Sequence, residues 1–363
     1  MGGNRSRITM MDVAKRAGVS QPTVSAVVNG RARELRIAEE TEARIRRVME
    51  ELDYRPNLAA RNFRLKRSKT IGFITDHIAS GPFAGRMVLG GQEEAWRDGH
   101  LLLLVNTSGD AKKTELGVQA LVDRQVDGLL YAKRSWGPVT LPPGLKSVPS
   151  ILVNCWERGA GGAKGHAFRM DGRPYPGHPA VLPSELKGGW MATNAALEAG
   201  HRRLAFIQGG EGDAASEERE VGFRRALAER GVRVNPRWVV RAGPEIDGGH
   251  RAARALLDTA DRPTALICFN DRVAIGAMVA ADELGLSVPK DLSVVGYDDD
   301  EELAAFFPPG LTTVALPHFE LGKVAVKVLL DAINRGGPVV TRQVEGHLVR
   351  RSTLAPAPEI TVR

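Results

Sequence analysis

The chain has 363 residues, 43% hydrophobic and 26% charged, a mixture that builds packed cores and excludes disorder for most of its length. No apolar run reaches the roughly 18 residues of a membrane span, the opening lacks a signal-peptide core, and two cysteines make no disulfide framework, as expected of a cytoplasmic protein. The net charge of +7 sits entirely in residues 1–68, with 15 Lys and Arg against 8 Asp and Glu, while the rest balances at 35 of each; this suggests a polyanion-binding head on a neutral body.

Thr9 precedes MMDVAKRAG, whose first exposed N–H groups its hydroxyl can cap. Asp12 puts a negative charge in the first turn, and Gly18 supplies a left-handed stop. Ser20 then caps QPTVSAVVN, with Pro22 in the first turn, where no N–H is missed. Ala14, Gly18 and Val24 have the spacing of a helix-turn-helix, although ordinary helical hairpins share it. The second helix would present Gln21, Thr23, Ser25 and Asn29, short polar groups suited to base edges and phosphates. A third helix is expected over Glu40–Leu52, where Ile45, Val48, Met49 and Leu52 fall on one face.

At Tyr54-Arg55-Pro56-Asn57 the pattern becomes specific. ITMMDVAKRAGVSQPTVSAVVNG and VMEELDYRPNLAARNFRLKRSKTIGFI together resemble the opening of lactose-repressor (LacI/GalR) family transcription regulators. The resemblance implies a DNA-binding domain over 8–55, and a hinge helix and linker over 56–68, the helix itself at Asn57–Arg64. It implies DNA-binding or positioning roles for Thr9, Ser20, Gln21, Pro22, Thr23, Ser25, Ala26, Asn29, Tyr54, Asn57, Ala60, Arg61 and Phe63. In the family, paired hinge helices wedge an apolar side chain into the minor groove. That residue is usually leucine; here it is Phe63, which either wedges or only packs locally. Ala26 stands where an arginine is frequent, and Ala38 where a capping serine is. The longer NGRARELRIAEET segment carries Arg31, Arg33 and Arg36, either phosphate contacts or solvated charges.

Beyond Lys69, apolar runs alternate with helical stretches. TIGFITD, LLLLVNT, DGLLYA and PSILVN read as buried strands, and the alternation resumes with the strands RLAFIQ, RWVVRA, TALICFN and LSVVGYD. Helices are expected near Ser216–Arg230, Gly249–Thr259 and Asp271–Leu284. The alternation implies parallel sheets covered by helices, two of them at this length. Ligands bind beyond the carboxyl ends of such strands.

The resemblance extends over this body through GHRRLAFIQG, the RxxGF of Arg219–Phe223, ALICFNDRVAIGAM, LGLSVPKDLSVVGYDDD and LTTVALPHFELGKVA. The implied fold is α/β: a helix-turn-helix head and hinge helix on a two-lobed, periplasmic-binding-protein-like body of parallel sheets. The lobes would run over 69–184 with 317–343, and over 185–313 with 344–358; the Gly/Pro-rich segment 157–179 is longer than usual. The implied effector residues are Phe83, Asp213, Arg219, Asn270 and Asp298. Each has a plainer reading: Phe83 as lobe core, Arg219 and Asp298 as an interlobe ion pair, Asn270 as a helix cap. An acid at Asp213 favours a sugar over an anionic effector.

The expected function is therefore a repressor, not an enzyme. It would be a homodimer on a near-palindromic DNA operator, controlled by a sugar held between the lobes, with no membrane partner, cofactor or metal. The alternative is a nucleotide-dependent oxidoreductase, since Gly210-x-Gly212-x-x-Ala215 follows a strand and precedes a helix. Against it, the next strand ends in Arg241 rather than an acid, and Glu211, Asp213, Glu217 and Glu218 would face the pyrophosphate. His201 and His250 read as surface or packing residues, and Cys155 and Cys268 as buried thiols.

Overall fold

The computed structural model describes residues 8–55, 67–77, 82–159, 176–300 and 302–358, with backbone alone at 82–84. Asn57, Ala60, Arg61, Phe63 and most of the Gly/Pro-rich segment lie outside these residues, as does the side chain of Phe83. The chain divides into two compact units between Ser68 and Lys69.

The first unit is a three-helix head: α1 (Met10–Ala17), α2 (Gln21–Val28) and α3 (Glu39–Glu51). Its caps are local. Thr9 and Asp12 form a reciprocal capping box, with Thr9 N donating to Asp12 Oδ2 at 2.8 Å, and Ser20 Oγ accepts from Thr23 N at 3.3 Å. Gly18 turns the chain between α1 and α2 at φ 66°, a conformation that glycine adopts without a Cβ penalty. No side chain caps α3 at Ala38. Val13, Ala17, Val24, Val27, Ile45, Val48 and Tyr54 close the core.

The second unit holds two six-stranded sheets. Lobe 1 contains β1 (Thr70–Thr75), β2 (Leu101–Asn106), β3 (Gly128–Val139), β4 (Ser150–Glu157), β5 (Ala180–Pro183) and β11 (Arg342–Val344). Their order is β11-β5-β4-β3-β1-β2. Lobe 2 contains β6 (Leu204–Gln208), β7 (Val239–Arg241), β8 (Ala265–Cys268), β9 (Ser293–Asp298), β10 (Thr312–Ala315) and β12 (His347–Val349). Their order is β12-β10-β9-β8-β6-β7, every pair parallel except β10 with β12. The chain passes between lobes after β5, after β10 and between β11 and β12.

Helices cover both faces: α4 (Pro82–Arg97), α5 (Ala111–Asp123) and α11 (His318–Arg335) on lobe 1, and α6 (Glu185–Glu198), α7 (Ala214–Glu229), α8 (Ile246–Leu257) and α9 (Asp271–Glu283) on lobe 2, with the short α10 (Leu303–Phe306).

Two sequence expectations change. LLLLVNT is not a buried strand: β2 is a sheet edge with Leu101, Leu103 and Leu104 exposed. An unbroken apolar run marks two covered faces only if both are covered within the chain. The strand at DGLLYA also continues to Val139, with a register shift between Ala132 and Gly137 that loops Lys133–Trp136 out of the pairing. The thiols of Cys155 and Cys268 are buried, and burial pushes Cys155 up to about 12. Among the described residues no helix is long and apolar enough to cross a membrane.

Candidate functional site

On the head, α2 exposes Gln21 and Pro22 and half-exposes Thr23, Ser25 and Asn29. Thr23 Oγ1 lies 2.8 Å from Ser20 Oγ, and Asn29 Nδ2 donates to Ser25 Oγ at 3.3 Å, so these groups are pre-positioned by one another. Ala26 is only 6% exposed; it offers no side-chain surface where an arginine would reach outward. Tyr54 is buried in the head core, a place that suits support rather than contact. In the longer turn Arg31 is held by Glu34 at 2.7 Å, while Arg33 and Arg36 are exposed.

In the body, a cleft of about 510 Å³ opens between the lobes. Lobe 2 supplies Glu185, Asp213, Arg219, Phe269, Asn270, Asp271 and Asp298; lobe 1 supplies Arg134, Trp136 and Asn154; Leu316 and His318 lie at a crossing. The structure thus brings together four of the five expected effector residues, and Phe83 lies outside the described side chains.

Arg219, on α7, is buried and almost fully occupied. Its Nε and Nη2 donate to the two oxygens of Glu185 at 2.6 and 3.1 Å, and Nη1 donates to the Phe269 carbonyl at 2.6 Å. The guanidinium stacks 3.6 Å from the Tyr297 ring centroid and 4.9 Å from that of Phe269. Burial alone would push it down, but the Glu185 carboxylate outweighs this and holds it above its usual value. Asp298 lies 3.7 Å from Nη1, within the same lobe rather than across the cleft. Glycines make the Glu185 contact possible: a Cβ at Gly189 of α6 would sit 2.2 Å from Arg219 O, and one at Gly222 of α7 2.1 Å from Leu186 O.

The other acids crowd around this pair. Asn270 caps α9, accepting from Val273 N at 2.8 Å and donating to Pro244 O at 3.0 Å. Asp213 caps α7 through Ser216 N at 2.9 Å. Asp271 accepts from Thr313 Oγ1 at 2.6 Å and Asp300 N at 2.8 Å; burial, reinforced by Asp299 and Asp300, lifts its carboxyl to about 7. Asp298 sits at φ 112°, where a side chain is strained, and burial pushes its carboxyl up despite Arg219. His318 is driven down to about 3 by burial and by Arg219 and Arg86, so it is neutral.

On the opposite wall the looped-out residues are pinned. Asp76 accepts from Arg134 N and pairs with Lys133 Nζ, both at 3.0 Å, while Asn154 Nδ2 donates to the carbonyls of Lys133 and Arg134 at 3.0 Å. Trp136 lies 4.4 Å from Trp156, ring centroid to centroid, and its buried Nε1 has no acceptor among the described residues.

Sequence reasoning missed Glu185, Phe269, Trp136 and Arg134. Glu185 follows a strand end, where ligand residues gather, but β5 is short and hidden behind the Gly/Pro-rich segment. At the suspected dinucleotide loop, the Asp213 carboxylate occupies the helix N-terminus that a pyrophosphate would need. His201 is a buried packing residue bonded to Thr264 and Ser293, and His250 pairs with Glu283 at the surface. Among the described residues no group of three His, Cys, Asp or Glu is placed to hold a metal.

A capped helix-turn-helix unit followed by a two-lobed body with a polar cleft defines a ligand-binding transcription regulator. The comparisons agree. Residues 9–57 match the model for bacterial regulatory proteins of the lacI family, and residues 193–354 that for a periplasmic binding protein-like domain. The chain is 33% identical over 328 residues to the ribose operon repressor of Haemophilus influenzae, covering 90% of this chain and 92% of that one. It is 33% identical over 358 residues to the HTH-type transcriptional repressor PurR of Pectobacterium carotovorum, covering 98% and 99%. The lac repressor dimer bound to operator and the anti-inducer ONPF matches with TM-score 0.73 and 25% identity, over 96% of this chain and 100% of that one. The CelR–cellobiose complex matches with TM-score 0.63 and 28% identity, over the same shares. The chain belongs to the LacI family of bacterial transcription regulators; it is a DNA-binding repressor and not an enzyme.

Proposed function

We propose that this repressor binds a near-palindromic operator as a homodimer in the cytoplasm and is controlled by a sugar held in the interlobe cleft. Residues 8–55 read the operator, 56–68 form the hinge and 69–363 hold effector and partner. The observation that carries the effector reading is the cleft's polarity. Among the described lining residues Arg134 is the one arginine without a carboxylate partner, set against Glu185, Asp213 and the buried carboxyls of Asp271 and Asp298, whose ionisation burial opposes, so neutral hydroxyl groups are favoured over anions. The relative named for the ribose operon and the neighbour bound to cellobiose support a sugar; purine nucleobases are the comparison to test.

Asp213, Arg219, Asn270, Asp298 and Phe83 are the proposed contacts. On the head, Gln21, Pro22, Thr23, Ser25 and Asn29 would lie along the major groove. Thr9, Ser20, Ala26 and Tyr54 would hold the helices in place, and Asn57, Ala60, Arg61 and Phe63 would serve the hinge, with Phe63 as the wedge. The homodimer reading rests on β2: an edge strand with exposed leucines, beside Trp96 of α4 at 62% exposure, is covered when a second copy packs on it. A melting screen of neutral sugars against nucleobases tests the effector: a sugar at ~100 times its Kd should stabilise the protein by ~2.7 kcal/mol. Stabilisation by purines alone would overturn the sugar.

A further inference from the structure

We infer that Glu185 sets the charge specificity of the cleft: by occupying the fork of Arg219 it shuts out anionic effectors and reserves the site for uncharged, hydroxyl-rich ones. This rests on the reading that the interlobe cleft holds the effector.

A guanidinium recognises carboxylate, phosphate or sulfate through paired, parallel N–H donors. In Arg219 the Nε–Nη2 pair is spent on Glu185, at 2.6 and 3.1 Å, and both side chains are buried. One Nη1 donor goes to Phe269 O, and the Asp298 carboxylate flanks the same nitrogen at 3.7 Å. The faces are covered by Tyr297 and Phe269. One N–H on Nη1 and one on Nη2 remain, and the Asp298 carboxyl flanks that edge on the Nη1 side. The field points the same way. Glu185 cancels the charge of Arg219, Glu245 pairs with Arg272 at 3.0 Å, and the same wall carries Asp213 together with the carboxyls of Asp271 and Asp298, whose burial opposes added negative charge. On that wall an entering anion finds no arginine without a carboxylate partner among the described residues. Arg134, across the cleft, is exposed and solvated, where its attraction is screened.

Glu185→Gln separates this role from packing. The amide keeps the size and one acceptor for Arg219, but its NH₂ faces the second guanidinium N–H and forces the fork open. The probe is inorganic sulfate, measured by equilibrium dialysis and melting on the full chain. The expected result is a saturable sulfate site at least about tenfold tighter in Glu185→Gln than in the parent, lost again in Glu185→Gln/Arg219→Met. A folded Glu185→Gln that gains no sulfate overturns the inference. So does a parent that already binds sulfate in the cleft, through Arg134 or otherwise. If Glu185→Gln does not fold, the parent alone decides: a neutral sugar that stabilises it must outbind its uronate by at least about tenfold, and equal binding overturns the inference. A parent that ignores every sugar while Glu185→Gln still gains sulfate removes the sugar reading and keeps the charge assignment.

Discussion

The head and the cleft are built by opposite means. In the head, each decisive bond closes within a turn: Thr9 with Asp12, Ser20 with Thr23, Asn29 with Ser25. Its polar groups stay at the surface, available to a partner that brings its own charge. In the cleft, bonds join residues far apart in sequence: Arg219 with Glu185 and with Phe269 O, Asp271 with Thr313. Its central charges, Arg219, Glu185 and Asp271, are buried and hydrogen-bonded within the protein. The difference teaches that a DNA-binding surface can be soft and local, whereas a small-molecule cleft needs charges fixed in place by the whole lobe.

Substitutions should reveal that contrast as a difference in cost. The largest loss is expected from Glu185→Ala, which leaves Arg219 buried without its counter-charge; about 3–5 kcal/mol should disappear from chemical denaturation of the body. A loss under about 1 kcal/mol would mean that water reaches the pair and that the cleft is as soft as the head.

Next comes the pH response of Asp271. Its carboxyl titrates near 7 in the fold against an ordinary 3.8, so the folded state holds a proton that the unfolded chain releases. Its contribution is therefore present at low pH and lost as pH rises from about 4 to 7. His318, lowered to about 3, works in the opposite sense, losing stability as pH falls below about 6.5. Asp271→Asn should thus gain on the parent, by on the order of a few kcal/mol, as pH rises from about 4 to 7. Parallel denaturation profiles of parent and variant would contradict the burial argument.

Smaller still is the head's cap. Ser20→Ala should cost about 1 kcal/mol, read from the head's own melting, with the body's transition unmoved. At the low end, Arg31→Ala removes an exposed pair and should leave the melting of both units unchanged; a visible shift would show that the long turn braces the head.

The same contrast explains what the sequence discloses. Head helices, caps and turn were legible because a hydroxyl, a glycine and a 3.6-residue period lie within a few positions of one another. The two-lobed body followed from strand–helix alternation, and Arg219, Asn270 and Asp298 from their places after strands or in a familiar motif. Glu185 was not legible, since its role depends on two helices crossing at Gly189 and Gly222. Nor was the exposure of β2, because an apolar run reads the same whether its cover comes from the chain or from a second copy.

The central claim is the division of labour between these two regions, and it is tested most directly by comparing the full chain with a piece beginning at Lys69 on an operator selected from random DNA. The piece should retain the melting of the two-lobed unit and its stabilisation by effector, and should lose operator affinity by at least about a thousandfold. Operator binding by that piece within tenfold of the full chain would contradict the account.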